Sequence, residues 1–161
     1  MRLILAALLS SISLSAFAAA PSMVGTYKVK KLISAWSISK EECKSEKGRW
    51  DNLESYCLIK VEDTAAVRKA GKNYRLHVTT TGANYHSCEF DGPAVLKKPN
   101  ALVSSIKTEV YNFDTGRPEK AVCMVTATLT SKGMEISTNL KCQGFCGANS
   151  WLDVSGMKKD K

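Results

Sequence analysis

Six cysteines, Cys43, Cys57, Cys88, Cys123, Cys142 and Cys146, all follow an N-terminal stretch laid out like a secretory leader. Together these constrain the fold more than any other feature. Met1-Arg2 is a short positive start, Leu3 to Leu9 is apolar, and small residues lead to Ala16-Phe17-Ala18, which fits an A-x-A cleavage site. Residues 1–19 are read as a cleaved signal peptide and residues 20–161 as the mature chain. The apolar run is too short and too rich in serine for a membrane span. No cysteine sits at the cleavage point for a lipid anchor, and no later stretch could span a bilayer. Export to an oxidising space with an even cysteine count reads as disulfides rather than free thiols. The expected location is periplasmic or secreted.

About 140 mature residues suit one domain with a proper core. Its first cysteine pair lies in "SISKEECKSEKGRWDNLESYCLIKV", residues 37–61. Ser39 and Glu42 form a capping box, so a helix of about two turns is predicted over Lys40 to Lys47. Gly48 is expected to end it in the left-handed conformation. From Tyr56 the pattern alternates and reads as a strand. A Cys43–Cys57 disulfide would pin this helix to that strand under Trp50, closing a loop worth about 3 kcal/mol. A zinc site needs further ligands at short spacing, and a redox pair needs C-x-x-C. Neither is present, so no metal and no cofactor is implied.

The rest of the chain has period two. Tyr74, Leu76, Val78 and Thr80 share one face; His86, Cys88 and Phe90 share another, on a short strand expected to stop at Asp91-Gly92-Pro93. A hairpin is predicted over 121–142, with its turn at Lys132-Gly133. That register sets Leu129 opposite Ile136, Val125 opposite Leu140 and Cys123 opposite Cys142. Cys88 and Cys146 would then form the last bond. The rival set is Cys88–Cys123 with Cys142–Cys146. About seven short strands with turns between them predict a mainly β fold: a single, disulfide-stapled antiparallel β-barrel or sandwich with one short N-terminal helix.

The runs "HSCEFDGPA", "CMVTATLTSKGMEI" and "CQGFCGANSWLD" give residues 74–158 a likeness. They resemble a small cysteine-rich β module of bacterial periplasmic proteins, which in some chains accompanies LprI-like lysozyme inhibitors. The helical inhibitor part of those chains has no counterpart here; the Cys43–Cys57 region stands in its place. The resemblance implies an envelope protein. Inhibition does not follow from the motif, and a basic lysozyme would repel this chain.

Without Arg2 the chain holds 22 Lys+Arg against 15 Asp+Glu, a net of +7. The lysines look scattered along the sequence, apart from the tail 157–161, and this reads first as solubility. His77 and His86 should point to different faces, which argues against a shared metal. Glu89 and Asp91 share a face and form the one candidate carboxylate pair. No Ser-His-Asp, HExxH or P-loop pattern occurs. Nucleic-acid binding would want arginine interleaved with aromatics, and the basic residues here are mainly lysine. The loop 143–151, with Phe145, Asn149 and Trp151, is the candidate binding surface, although large aromatics are mostly buried and the first reading of Phe145 and Trp151 is that they cap the core. The expectation is an exported soluble binding protein of the cell envelope, non-catalytic and inhibitor-like in class, whose partner is an envelope or extracellular protein. The alternative is a binder of polyanions or membrane surfaces through its lysines. An enzyme with a carboxylate site ranks last.

Overall fold

Alternating apolar and polar residues become β structure along most of the chain. The computed structural model describes residues 22–112, 114–147 and 150–161, so the leader reading lies outside the described residues. The strands are β1 (Gly25–Ala35), β2 (Arg49–Asp51), β3 (Tyr56–Ala70), β4 (Asn73–Thr81), β5 (Ser87–Lys98), β6 (Ala101–Asn112), β7 (Arg117–Thr130), β8 (Gly133–Thr138) and β9 (Val154–Lys159). They pair antiparallel in the order β1-β9-β8-β7-β6-β5-β4-β3-β2, and β1 also pairs with β3. Eight strands therefore close into a barrel, and β2 is a short addition to the start of β3. A barrel of eight strands is just wide enough to be filled by side chains. Tyr27, Leu76, Phe90, Leu102, Met134 and Met157 fill it, all essentially inaccessible. No helix among the described residues is long and apolar enough to cross a membrane.

The sequence predicts one helix; the chain forms three short helical segments. The helix α1 (Lys40–Ser45) carries the predicted capping box. Ser39 Oγ accepts from the Glu42 amide, and Glu42 Oε2 accepts from the Ser39 amide at 2.6 Å. Two 3-10 segments, Ala83–Tyr85 and Leu140–Phe145, were not legible as helix. The end of α1 also differs from expectation. Lys47, not Gly48, takes the left-handed conformation, at φ 54°. The amide of Gly48 bonds the Cys43 carbonyl at 2.8 Å, and that of Lys47 bonds Lys44, which together satisfy the last carbonyls. Gly48 is required for another reason: a Cβ there would run into the sulfurs of Cys43 and Cys57 and the carbonyl of Leu58. Gly48→Ala should cost about 2 kcal/mol by overpacking. Urea unfolding followed by tryptophan fluorescence checks this, and an unchanged midpoint would remove the packing account.

The disulfides are Cys43–Cys57, Cys88–Cys146 and Cys123–Cys142, not the rival set. The first holds α1 over a separate small core of Ile33, Ala35 and Ile59 with Trp50 against it. Between that core and the barrel, Asp63 points inward from β3, fully buried. Its Oδ1 accepts the Thr81 amide at 2.9 Å, and its Oδ2 lies 2.6 Å from Lys31 Nζ.

Three strand expectations are corrected. The strand from Ser87 does not stop at Pro93 but runs to Lys98. Proline is tolerated because the β5–β6 ladder begins only at Ala94, so its missing N–H interrupts nothing. The turn between β7 and β8 is Ser131-Lys132, which sets Leu129 opposite Met134, Ala127 opposite Ile136 and Val125 opposite Thr138. Thr130 Oγ1 fixes this turn, accepting from the Lys132 amide and donating to the Gly133 carbonyl. β8 then stops at Thr138, so Leu140 leaves the ladder and is 81% exposed.

Candidate functional site

The chain direction sorts the connections into two ends. The β3–β4, β5–β6 and β7–β8 turns and the C-terminus lie at one end. The other end carries α1, the Ala83–Tyr85 segment, the tip of the β6–β7 hairpin and the long β8–β9 connection, residues 139–153. That connection holds the candidate binding loop.

Its path is set by polar side chains. Where β8 stops, Asn139 takes over the edge of β7. Its amide bonds the Met124 carbonyl, its Nδ2 bonds the Val122 carbonyl at 2.9 Å, and its Oδ1 accepts the Met124 amide. Asp153 accepts from both the amide and the hydroxyl of Thr138, at 2.9 and 2.6 Å, and closes the base of the loop. Residues 140–147 then fill the gap where β5 and β6 part. Cys88 pairs with Cys146 there, and the Gly147 amide bonds the Ser87 carbonyl at 2.9 Å.

The three candidate residues separate. Phe145 is partly buried and packs edge-on against Phe90, with centroids 5.4 Å apart, so it belongs to the core. Asn149 lies outside the described residues. Trp151 is 55% exposed. Its backbone is nonetheless pinned: Thr80 Oγ1 donates to its carbonyl at 2.5 Å, while its neighbours Ser150 and Leu152 are buried. Ser150 Oγ further bonds the Gly147 carbonyl at 2.8 Å. Trp151 and Leu140 line one groove of about 150 Å³ with Gln143 and Asp153. The predicted register sets Leu140 opposite Val125, and only its departure from the ladder puts it here. At the same end Trp36 is 52% exposed, 4.5 Å from the Tyr56 ring centroid, with its amide held by Asn84 Oδ1 at 2.6 Å.

Asp91, Glu89 and His77 sit on the barrel wall, and His86 in the β4–β5 connection. Asp91 takes a two-pronged ion pair from Arg75, at 2.7 and 2.8 Å, and this hydrogen bond holds its carboxyl below the usual carboxylate range. A general acid needs the opposite displacement. Glu89 is exposed beside it. His77 shares a hydrogen bond with Thr79 Oγ1 at 3.3 Å, and His86 lies against Gly147. Among the described residues no three His, Cys, Asp or Glu side chains are grouped to hold a metal. All six cysteines are bonded.

No family model, no curated protein and no solved structure matches the chain.

Proposed function

We propose that this is an exported, non-catalytic binding protein of the cell envelope that holds a protein partner through Trp151 and Leu140. The carrying observation is an exposed indole on a backbone fixed by two buried neighbours and a hydrogen bond to its carbonyl. An aromatic presented this way loses little entropy on association and makes a strong anchor. A barrel interior filled by side chains directs recognition to the outer surface. Three disulfides fit an oxidising compartment. An inhibitor-like role is the form such binding takes when the partner is an enzyme.

The test is capture from envelope extract by the oxidised protein in moderate salt. Trp151→Ala should reduce the yield of the captured partner at least tenfold, as loss of an interface anchor does, and leave the unfolding midpoint unchanged. Equal capture by Trp151→Ala and the unaltered protein would reject this surface.

A further inference from the structure

Lysines scattered in sequence are gathered by the topology. Each hairpin turn at the end away from Trp151 carries them: Lys69 and Lys72 at β3–β4, Lys97 and Lys98 at β5–β6, Lys132 at β7–β8. The chain's last four residues add Lys158, Lys159 and Lys161 at the same end. The acids nearest to these eight lysines are already engaged: Asp160 and Glu62 both lie on Lys28, at 3.0 and 3.5 Å, and Glu135 lies 3.4 Å from Thr130 Oγ1. Apart from these eight lysines and Asp160, the described residues hold 14 basic and 14 acidic side chains, so this set carries the chain's excess of seven positive charges. Among the described residues none of the eight has a carboxylate at ion-pair distance. Lys158 rests on the Lys132 carbonyl, Lys159 on that of Ser22, and Lys69 over the Tyr74 ring. Carbonyls and rings position these amines and leave their charge uncompensated.

We propose that this end docks on an anionic phospholipid bilayer. The cations occupy three separate turns and a chain terminus around a barrel rim, not a line along one strand. A flat anionic surface meets all of them at once, whereas a linear polyanion meets only those along its path. Beside Lys97, Val95 and Leu96 are 38% and 46% exposed. Leu96 follows the inward parity of β5 but sits past the filled interior, which offers an apolar contact at the headgroup boundary. Lysines near such a surface act additively and are screened by salt. Docked this way, the protein presents Trp151 on its far end, away from the membrane. Neither surface depends on the other.

The experiment is sedimentation of the oxidised protein with vesicles of phosphatidylglycerol and phosphatidylcholine, against phosphatidylcholine alone. Binding is expected to the anionic vesicles only and to fall steeply with salt. Each pair of turn lysines changed to alanine, first Lys97→Ala with Lys98→Ala, then Lys69→Ala with Lys72→Ala, should weaken it about thirtyfold. Lys40→Ala with Lys44→Ala on α1 should change it little, and Trp151→Ala not at all. Absence of binding to anionic vesicles overturns the proposal. Equal weakening by the α1 pair overturns it too, leaving only total charge. Binding to heparin without binding to vesicles overturns it in favour of a linear polyanion. A second measurement needs no variant: in spectra of the unaltered protein with anionic nanodiscs, amides of residues 70–73, 100–101 and 131–132 and of Lys98 should broaden before those of 139–147. The reverse order rejects the orientation.

Discussion

Replacing Cys88 and Cys146 together by alanine lowers the unfolding free energy by about 4 kcal/mol, the largest single effect expected in this chain. The bond closes a sequence separation of 58 residues, and the chain-entropy cost of such a loop lies between about 3 kcal/mol for 15 residues and about 4.7 for 100. It also does what no ladder does here. β5 and β6 part beyond the Ala94–Ser104 pair, and Cys146 is tied to Cys88 inside that opening. Without the bond, residues 140–147 keep only the Gly147 amide and the packing of Phe145 on Phe90 as their hold on β5. Removing Cys43–Cys57, with a separation of 14, should cost about 3 kcal/mol and act on the small core alone. Urea unfolding of the two double variants separates them. A loss below about 1 kcal/mol for the Cys88 and Cys146 pair would show that strand pairing alone holds this region.

Asp63→Ala is expected to cost about 3 kcal/mol, because truncating one partner of an internal ion pair leaves the other without compensation. Asp63 is fully buried, whereas the Lys31 side chain keeps 36% of its exposure. Losing the carboxylate therefore costs less than for a pair buried on both sides, but it also leaves the Thr81 amide, at the end of the β3–β4 contact, without an acceptor. Asp63→Asn restores an acceptor for that amide but no charge for Lys31, so it should fall between Asp63→Ala and the unaltered protein. Thermal unfolding of all three orders them. An Asp63→Ala midpoint equal to that of the unaltered protein would show that water accepts from the Thr81 amide and that Lys31 reaches solvent at no cost.

Local chemistry was readable along the chain and long-range placement was not. The capping box of Ser39 and Glu42, the alternation through Leu76 and Val78, and the helix-to-strand disulfide follow from residues near one another in sequence. The β7–β8 register was misread because Gly133 looks like a turn glycine. Its positive φ and bare α-carbon instead serve β9: a Cβ there would strike the Met157 carbonyl, from a strand more than 20 residues later. Gly48 misled in the same way, with a disulfide as the hidden neighbour. Leu140 followed the strand parity and was assigned inward, but Asn139 ends the pairing one residue earlier. Phe145 and Trp151 are not separable in the sequence, since burial of Phe145 by Phe90 is a tertiary fact. The segregation of lysines to one rim was invisible for a related reason. It depends on which turns share an end, and that is a property of the barrel's winding.

The barrel closes through two residue pairs of its terminal strands, Tyr27 with Lys159 and Lys28 with Lys158. A chain that emerges N-terminus first, from a ribosome or a translocation pore, therefore cannot complete its native pairing until Lys159 is free. Until then β8 has a bare edge, and contacts separated by about 130 residues must still be found, which makes folding slow and the waiting edge adhesive. Vectorial synthesis thus delivers an unfinished cylinder, and whatever shields that edge in the interval governs how much of the protein survives.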